Sequence, residues 1–258
     1  MTRPVFVCPT AALERPGVVL LDGDEGRHAA RVRRLAVGEA VDLTDGAGRR
    51  GTGVVASVGA ASLEVAVATI TVEPEPSPRL VVVQALPKGD RAEQAVELLS
   101  EVGADAVVPW AAHRCVTRWE GERGAKALAR WRAHAREAGK QARRARHLTV
   151  AEPVGLEGVA QLLGAATVGL VLHEEADAAL AVALPRIAAA CAAAPATVVL
   201  VVGPEGGIDD AERARLAAVA DEVRLGPSVL RTSTAGGVAA ALVLGATGRW
   251  TTERHYGE

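Results

Sequence analysis

The sequence contains few aromatic residues and few cysteines. Its 258 residues include one Phe, one Tyr, four Trp and three Cys. Aliphatic side chains must therefore fill most of the hydrophobic core. The spacing of the cysteines matches neither a zinc site nor an even disulfide set, and the histidines show no metal-ligand spacing. We expect free thiols at the three cysteines, which are Cys8, Cys115 and Cys191, and no bound metal.

Long apolar runs are also missing. No stretch of about 18 apolar residues free of charges and breakers occurs, so the sequence predicts no transmembrane helix. The first residues, MTRPVFVCPT, do not combine a basic segment with an apolar core, as a secretory signal would. We therefore expect a cytoplasmic protein without a membrane partner.

The charge is distributed unevenly along the chain. The formal net charge is −2, but residues 113–147 contain eleven Lys or Arg and only three Glu, so this segment carries +8 and the rest carries −10. A solvated surface helix is the alternative explanation. Such a helix usually balances its acids and bases, so the excess favours binding of phosphate groups.

The first 73 residues contain five β-rich runs and one basic helical stretch, residues 25–35. This pattern predicts a small β-barrel domain with one helix. Three alternating prolines follow, and they predict a stiff linker at residues 74–79 because proline fits neither a helix interior nor a central strand. From residue 80 to 258 strands alternate with helices, which predicts an α/β domain with a mostly parallel sheet. Its helices are predicted at residues 90–102, 122–147, 180–194, 209–219 and 234–247.

Three loops follow consecutive apolar strands of the predicted parallel sheet: residues 172–174, 203–207 and 226–234. They should emerge together at the carboxyl ends of the strands, where open α/β sheets bind ligands. The second loop, GPEGG, carries neither a Walker sequence nor the dinucleotide fingerprint, which argues against a nucleotide-dependent oxidoreductase. Alone, it is also compatible with a tight turn. The third loop places Arg231 among several hydroxyls, some of which are candidates for capping the next helix. We expect Arg231 to be buried and functional, since an unpaired buried charge is costly.

Four stretches together resemble the SPOUT superfamily of knotted methyltransferases, and within it the ribosomal RNA small subunit methyltransferase E family, which methylates uridine N3. They are RHAARVRRLAVGEAVDLTDGAG, LPKGDRAEQAVELLSEVGADAVVPW, GPEGG and LGPSVLRTSTA. The resemblance implies an N-terminal PUA-like RNA-binding barrel and a trefoil-knotted α/β domain. It also implies S-adenosyl-L-methionine as cofactor, a homodimer, and a uridine in the decoding region of 16S ribosomal RNA as substrate. We expect the assembled small subunit to be the partner, with free RNA as the alternative.

Carried onto this sequence, the resemblance implies two sets of site residues. The cofactor set is Leu172, His173, Glu174, Val202, Gly203, Glu205, Gly206, Gly207, Leu225, Gly226, Leu230, Thr232, Ser233 and Thr234. The RNA set is Arg27, His28, Arg31, Arg34, Lys88, Arg91, Arg136, Lys140, Gln141, Arg143 and Arg144. Two positions depart from the family: Lys140 replaces an acid, and Leu98 replaces a frequent basic residue. Both departures leave individual RNA contacts open.

Arg231 is the expected catalytic residue, because a guanidinium can stabilise negative charge on the uracil as N3 loses its proton. It is a poor general base. Glu174, Glu205 or water could accept the proton, and the sequence does not choose among them. An RNA-binding adaptor without catalysis is the competing hypothesis. It explains the barrel and the basic segment but gives the three loops no role.

Overall fold

The structure is a computed structural model, and it describes residues 3–89, 91–193 and 195–251. The chain folds as two compact units. The first comprises the described residues up to Glu75 together with Arg136–His147. The second comprises Pro76–Ala135 and the described residues from Leu148 onward. The break near residue 75 falls in the proline-rich segment, whereas the inclusion of Arg136–His147 in the first unit was not foreseen.

The first unit is built on a five-stranded sheet with the order β1-β3-β4-β5-β2. Its strands are β1 (Val5–Val7), β2 (Gly17–Leu21), β3 (Ala40–Thr44), β4 (Arg49–Val58) and β5 (Leu63–Val72). Neighbouring strands pair antiparallel, except that β1 and β3 are parallel. In the described part of the chain β1 and β2 do not pair with each other. The predicted barrel is therefore a curled half-barrel, with alternate side chains such as Leu63, Val65 and Val67 buried in its core.

A short helix lies between β2 and β3, as predicted. Helix α1 (Gly23–Arg27) continues into one π-helical turn, His28–Val32. The 3₁₀ turn at Thr10–Leu13 was not predicted. Arg34, which follows the π turn, has a left-handed backbone with φ 53°.

The long basic helix, α3 (Gly121–Gln141), is shorter than predicted. The prediction extended it to His147 because the basic side chains keep helical spacing that far. The helix ends earlier because Arg143 takes a left-handed backbone, with φ 54°. The N–H of Arg144 donates to the carbonyl of Gly139 at 2.9 Å, and the N–H of Arg143 donates to that of Lys140 at 3.0 Å. These two bonds form a Schellman cap, in which glycine usually occupies the left-handed position.

The second unit is built on a six-stranded parallel sheet with the order β11-β9-β10-β6-β7-β8. Its strands are β6 (Arg79–Ala85), β7 (Ala106–Trp110), β8 (Thr149–Val150), β9 (Val168–Leu172), β10 (Thr197–Val202) and β11 (Asp221–Val223). Most of their residues are apolar and buried, as expected for strands covered on both faces. The predicted architecture, a small β unit followed by an α/β unit with a mostly parallel sheet, is confirmed.

Helices connect the parallel strands. They are α2 (Arg91–Val102), α4 (Leu156–Ala165), α5 (Leu180–Ala190), α6 (Asp210–Ala217) and α7 (Thr232–Ala246). Helix α4 was not predicted. Two predicted helix ends, Asp90 and Ala194, lie outside the described residues. The predicted capping box of α6 is confirmed: the Glu212 N–H donates to the Asp209 side chain at 2.8 Å, and the Asp209 N–H donates to that of Glu212 at 3.4 Å.

Two adjacent glycines allow α7 to pack closely. A Cβ on Gly237 would lie 2.4 Å from the Leu98 side chain of α2, and a Cβ on Gly236 would lie 3.2 Å from Val202 on β10. The departure at Leu98 therefore has a packing role, because its side chain occupies the space that Gly237 leaves over α7.

Three further observations bear on function. Within the described ranges, no helix is long and apolar enough to cross a membrane, and no group of three His, Cys, Asp or Glu residues could hold a metal ion. All three cysteines are buried and free.

Candidate functional site

A cleft of about 270 Å³ lies at the carboxyl edge of the parallel sheet. The order β11-β9-β10 makes the three predicted loops neighbours, since each loop follows one of these strands. The cleft is lined by residues of all three loops and of the helices α2 and α7: Arg91, Leu172, His173, Glu174, Val202, Gly203, Pro204, Glu205, Gly207, Ile208, Val229, Leu230, Arg231, Thr232 and Ala235. Residues from distant parts of the sequence thus share one cavity, at the edge where open α/β sheets bind ligands.

Most of the predicted cofactor residues lie at this cleft or beside it. Leu225 and Gly226 line a smaller adjoining cavity of about 100 Å³, which shares the residues 172–174 with the main cleft. Gly206, Ser233 and Thr234 line neither cavity. Sequence reasoning missed Ile208 and Ala235, whose side chains give no chemical signal, whereas Pro204 and Val229 lie within the predicted loops without being singled out. Arg91, which was placed in the RNA set, lines the cleft.

Arg231 occupies the cleft wall directly before α7. The expectation of a buried guanidinium was wrong: Arg231 is exposed in the single chain, and no acidic residue in the described ranges pairs with it. The hydroxyls nearby do not cap α7 either. Arg231 is the N-cap residue without a side-chain cap bond, and the Thr234 hydroxyl donates to the Arg231 carbonyl at 3.2 Å. The positive charge is therefore available to a ligand in the cleft.

The loop 203–207 is held from outside by the segment that follows β7. A Cβ on Gly206 would lie 3.1 Å from the Arg114 Cβ and 3.2 Å from its carbonyl oxygen, so glycine is needed there for packing. The Arg114 guanidinium donates to the Gly206 carbonyl at 3.3 Å. Gly207 has φ 75°, which suits glycine.

His113 ties the same segment to α6. Its Nδ1 lies 2.7 Å from an oxygen of Asp209, and its backbone N–H donates to Glu212 at 2.8 Å. Each carboxylate of the capping box thus uses one oxygen within α6 and the other for His113. A bond to the Glu212 N–H is the main cause that lowers the pKa of Asp209, and proximity to His113 adds to it.

Two glutamates border the cleft. Glu174 and Glu205 are both exposed, and Glu205 accepts the backbone N–H of Lys88 at 3.3 Å. Their positions fit a carboxylate that accepts a proton in the cleft. The imidazole Nδ1 of His173 accepts the N–H of Glu175 at 3.2 Å and thereby shapes the first loop.

The first unit holds most of the predicted RNA residues, and they differ in how they are paired. Arg27 pairs with Asp24, and Arg31 donates to the Ala60 carbonyl at 2.8 Å. The His28 ring packs edge-on against Phe6. Arg34 is exposed and Arg143 half-buried, and neither guanidinium meets an acidic side chain among the residues described. Gln141 is exposed.

Lys140 departs from the sequence expectation of an exposed phosphate contact. Its ammonium is buried, 2.9 Å from Glu25 and 3.3 Å from Glu137. Arg136 also reaches Glu25, at 3.4 Å. The physical reason is that Glu25 is itself buried in α1 and needs positive partners. No periodicity in the sequence links Glu25 to Lys140.

His147 fills a slot between two glycines of the first unit. Its ring would lie 3.1 Å from a Cβ on Gly46 and 2.7 Å from one on Gly139. Burial, and then the charges of Arg144 and Arg136, lower the pKa of His147 to about 4. The imidazole is therefore neutral at pH 7.

Two family models match this chain. Residues 73–244 match the family described as an RNA methyltransferase domain, and residues 21–68 match the RNA methyltransferase PUA domain. The chain is 47% identical over 238 residues to ribosomal RNA small subunit methyltransferase E of Mycobacterium bovis, covering 90% of this chain and 88% of that protein.

Solved structures show the same fold. A methyltransferase from Legionella pneumophila in complex with the bound cofactor SAM superposes with a TM-score of 0.80 and 25% identity, over 95% of this chain and 98% of that one. The small subunit methyltransferase E of Neisseria gonorrhoeae, bound to S-adenosyl methionine, superposes with a TM-score of 0.79 and 24% identity, over 94% and 97%.

Proposed function

This chain belongs to the RNA methyltransferase family that includes ribosomal RNA small subunit methyltransferase E, and we propose that it methylates N3 of a uridine in the decoding region of 16S ribosomal RNA with S-adenosyl-L-methionine. The observation that carries the proposal is the convergence of three loops and Arg231 on one cleft.

The cleft has the chemistry that this cofactor requires. Apolar side chains line the cleft and can hold an adenine ring: Leu172, Val202, Ile208 and Leu230. The Glu174 carboxylate can accept hydrogen bonds from the hydroxyl groups of the cofactor. The glycines at 203 and 226 leave backbone groups of two loops accessible. When bound there, the cofactor supplies a methyl group already activated by its sulfonium.

Arg231 is the proposed catalytic residue. Uridine N3 carries a proton and becomes nucleophilic only when that proton leaves, which places negative charge on the two neighbouring carbonyl oxygens. An unpaired guanidinium on the cleft wall stabilises that charge, and it does so most strongly where water is excluded. The remaining contribution is alignment of N3 with the methyl group, which the cleft walls provide.

The proton acceptor is assigned to the carboxylates that border the cleft. Glu174 is exposed there and its carboxylate accepts no hydrogen bond from the residues described, whereas Glu205 accepts the Lys88 N–H. We favour Glu174, directly or through one water molecule, because its oxygens are free to accept.

RNA recognition is assigned to the first unit. Exposed arginines without an acidic partner are the best phosphate ligands, since they lose no ion pair on binding. Of the predicted RNA residues in the described part of this unit, Arg34 is exposed and Arg143 is half-buried, and neither has an acidic partner. We propose Arg34 and Arg143 as the main contacts from the predicted set and leave out Lys140, whose charge is already used by Glu25.

We also propose a homodimer. Four large apolar residues at and around α7 expose between 37% and 75% of their surfaces, although most of that helix is buried in its own unit: Val229, Leu230, Val238 and Trp250. Exposed large apolar residues in one region mark an interaction surface, and twofold dimers are the commonest assemblies. Sedimentation at micromolar concentration tests this directly, and an active monomer would contradict it.

The central experiment combines binding and product analysis. Small ribosomal subunits from cells that lack this gene are incubated with the purified chain and the cofactor, and 16S nucleosides are analysed by mass spectrometry. We expect one new N3-methyluridine with the wild-type chain and a much smaller yield with Arg231→Ala. Calorimetry with the cofactor alone tests the competing hypothesis of a non-catalytic RNA-binding adaptor. Such an adaptor should not bind the cofactor. Methylation at another base or atom would overturn the uridine-N3 assignment.

A further inference from the structure

One polar residue interrupts the apolar centre of the parallel sheet. Gln84 lies on β6, between β10 and β7, in the run Leu-Val-Val-Val-Gln-Ala, and only 1% of its surface is exposed. Burying a carboxamide costs free energy unless all its hydrogen-bonding groups find partners. An aliphatic residue would suit this strand better, so the glutamine requires an explanation.

Its carboxamide is only half satisfied. The Nε2 group donates to the carbonyl of Ala85 at 3.1 Å and to that of Thr232 at 3.2 Å. The Oε1 atom is buried and finds no partner among the residues described. An orphaned buried acceptor is destabilising, typically by about 1–3 kcal/mol. Stability alone therefore does not account for Gln84.

The bond to Thr232 joins the sheet to the functional site. Thr232 is the first residue of α7 and follows Arg231 directly. Gln84 is also the register partner of Val202, the last residue of β10, after which the loop 203–207 begins. A Cβ on Gly236 would lie 3.4 Å from the Gln84 Oε1, so α7 passes directly over the carboxamide. One side chain thus contacts the start of α7 beneath the wall of the cleft.

We propose that Gln84 is a positioning residue that holds the first turn of α7, and through it Arg231, in the geometry required for methyl transfer. The inference rests on the proposed function. Without the Nε2 bond, the Thr232 carbonyl loses its tie to β6, and the N-cap residue of α7 gains freedom. A misplacement of a catalytic group by about 1 Å can cost on the order of a hundredfold in rate.

The test uses Gln84→Met, which keeps the length of the side chain and removes both polar atoms. Leu80→Met, a buried change on the same strand, is the matched control. For Gln84→Met we expect an unfolding midpoint equal to or above that of wild type, because the orphaned acceptor is gone. We expect a single-turnover rate at least tenfold lower, with KM for RNA and for the cofactor within about threefold of wild type. Leu80→Met should keep the wild-type rate.

Hydrogen exchange provides a readout that needs no activity. In Gln84→Met, the amides of residues 231–236 should exchange faster than in wild type, while those of the later turns of α7 should not change. A Gln84→Met protein with the wild-type rate and unchanged exchange overturns the inference. A loss of rate in Gln84→Met that is accompanied by a lowered unfolding midpoint also overturns it. If the wild-type chain and the Leu80→Met control both transfer no methyl group, the proposed function has failed, and the exchange result alone decides the role of Gln84.

Discussion

The ammonium of Lys140 lies 2.9 Å from a carboxylate oxygen of Glu25, and both side chains are buried. The two residues are 115 positions apart, yet both belong to the first unit. Glu25 also accepts the backbone N–H of Val7 at 3.2 Å. The pair therefore joins the end of the basic helix to α1 and β1.

Removing one partner of this pair should be costly, whereas removing both charges should not. We expect Glu25→Ala to lower the free energy of unfolding by about 3–5 kcal/mol, because the Lys140 charge stays buried without its main partner. Glu25→Leu combined with Lys140→Met should recover most of this loss. Urea denaturation measures both. Equal losses in the single and double variants would show that packing, and not charge, governs the site.

His147 should make stability depend on pH. Its pKa in the folded chain is lowered to about 4, from 6.5. The unfolded chain therefore binds the proton more readily, so this contribution is complete above pH 6.5 and is lost as pH falls towards 4. Between pH 7 and pH 5 we expect a loss of about 2 kcal/mol from this group.

The matched variant for this prediction is His147→Gln, which is polar but does not titrate. Its free energy of unfolding should fall less than that of wild type between pH 7 and pH 5. The carboxylates are the same in both proteins, so the difference gives the contribution of His147 alone. The charged groups near the imidazole that lower its pKa are Arg144, Arg136 and Lys140. Parallel pH profiles for the two proteins would contradict the prediction.

Arg231 and Arg143 should give opposite kinetic signatures. Arg231→Ala should lower the single-turnover rate with saturating RNA by about ten- to a thousandfold and leave RNA affinity nearly unchanged. Arg143→Gly should weaken RNA binding and reduce its salt dependence by a slope of about 0.7–0.9. Because glycine suits the left-handed position, the same change should raise stability by about 1 kcal/mol.

Arg132→Ala is the control for Arg143. This arginine lies on α3, whereas Arg143 follows the end of that helix, and it pairs with Glu152 at 2.7 Å, so it should contribute less to RNA binding. Filter binding across a salt series measures RNA affinity and its salt dependence. Quenched single-turnover reactions with labelled cofactor measure the rate of methyl transfer. If Arg231→Ala folds, binds the cofactor and reacts at the wild-type rate, the assignment of the catalytic residue is wrong.

Alanine substitutions at two glycines of the predicted cofactor loops should have different effects. Gly206→Ala should lower stability, because a Cβ there meets Arg114 at 3.1 Å. A Cβ on Gly226 meets nothing within 4 Å, although this glycine borders the cavity beside the cleft. Gly226→Ala should therefore keep stability and weaken cofactor binding about tenfold, or about 1.4 kcal/mol. Thermal unfolding measures the stability of each variant, and calorimetry measures its affinity for the cofactor. Unchanged cofactor affinity in Gly226→Ala would show that the loop containing Gly226 does not bind the cofactor.

The sequence by itself determined the local features of this protein. Alternating and continuous apolar runs predicted most strands, since side-chain burial imposes those periods directly. The Asp209 and Glu212 spacing predicted the cap of α6, because capping depends on neighbours within one turn. The order of strands and loops along the chain also predicted one ligand edge in the second unit.

Only the tertiary structure decided what depends on residues far apart in sequence. The left-handed Arg143 ends α3 although the periodicity continues, and Lys140 is buried because Glu25, on another helix, needs its charge. Gly206 is a glycine because Arg114 approaches it, and Arg231 is exposed where an apolar neighbourhood suggested burial. Gln84 shows the same limit, since its partner Thr232 is 148 positions away. A sequence pattern records only spacing along the chain, whereas these features arise from contacts that folding creates between its distant parts.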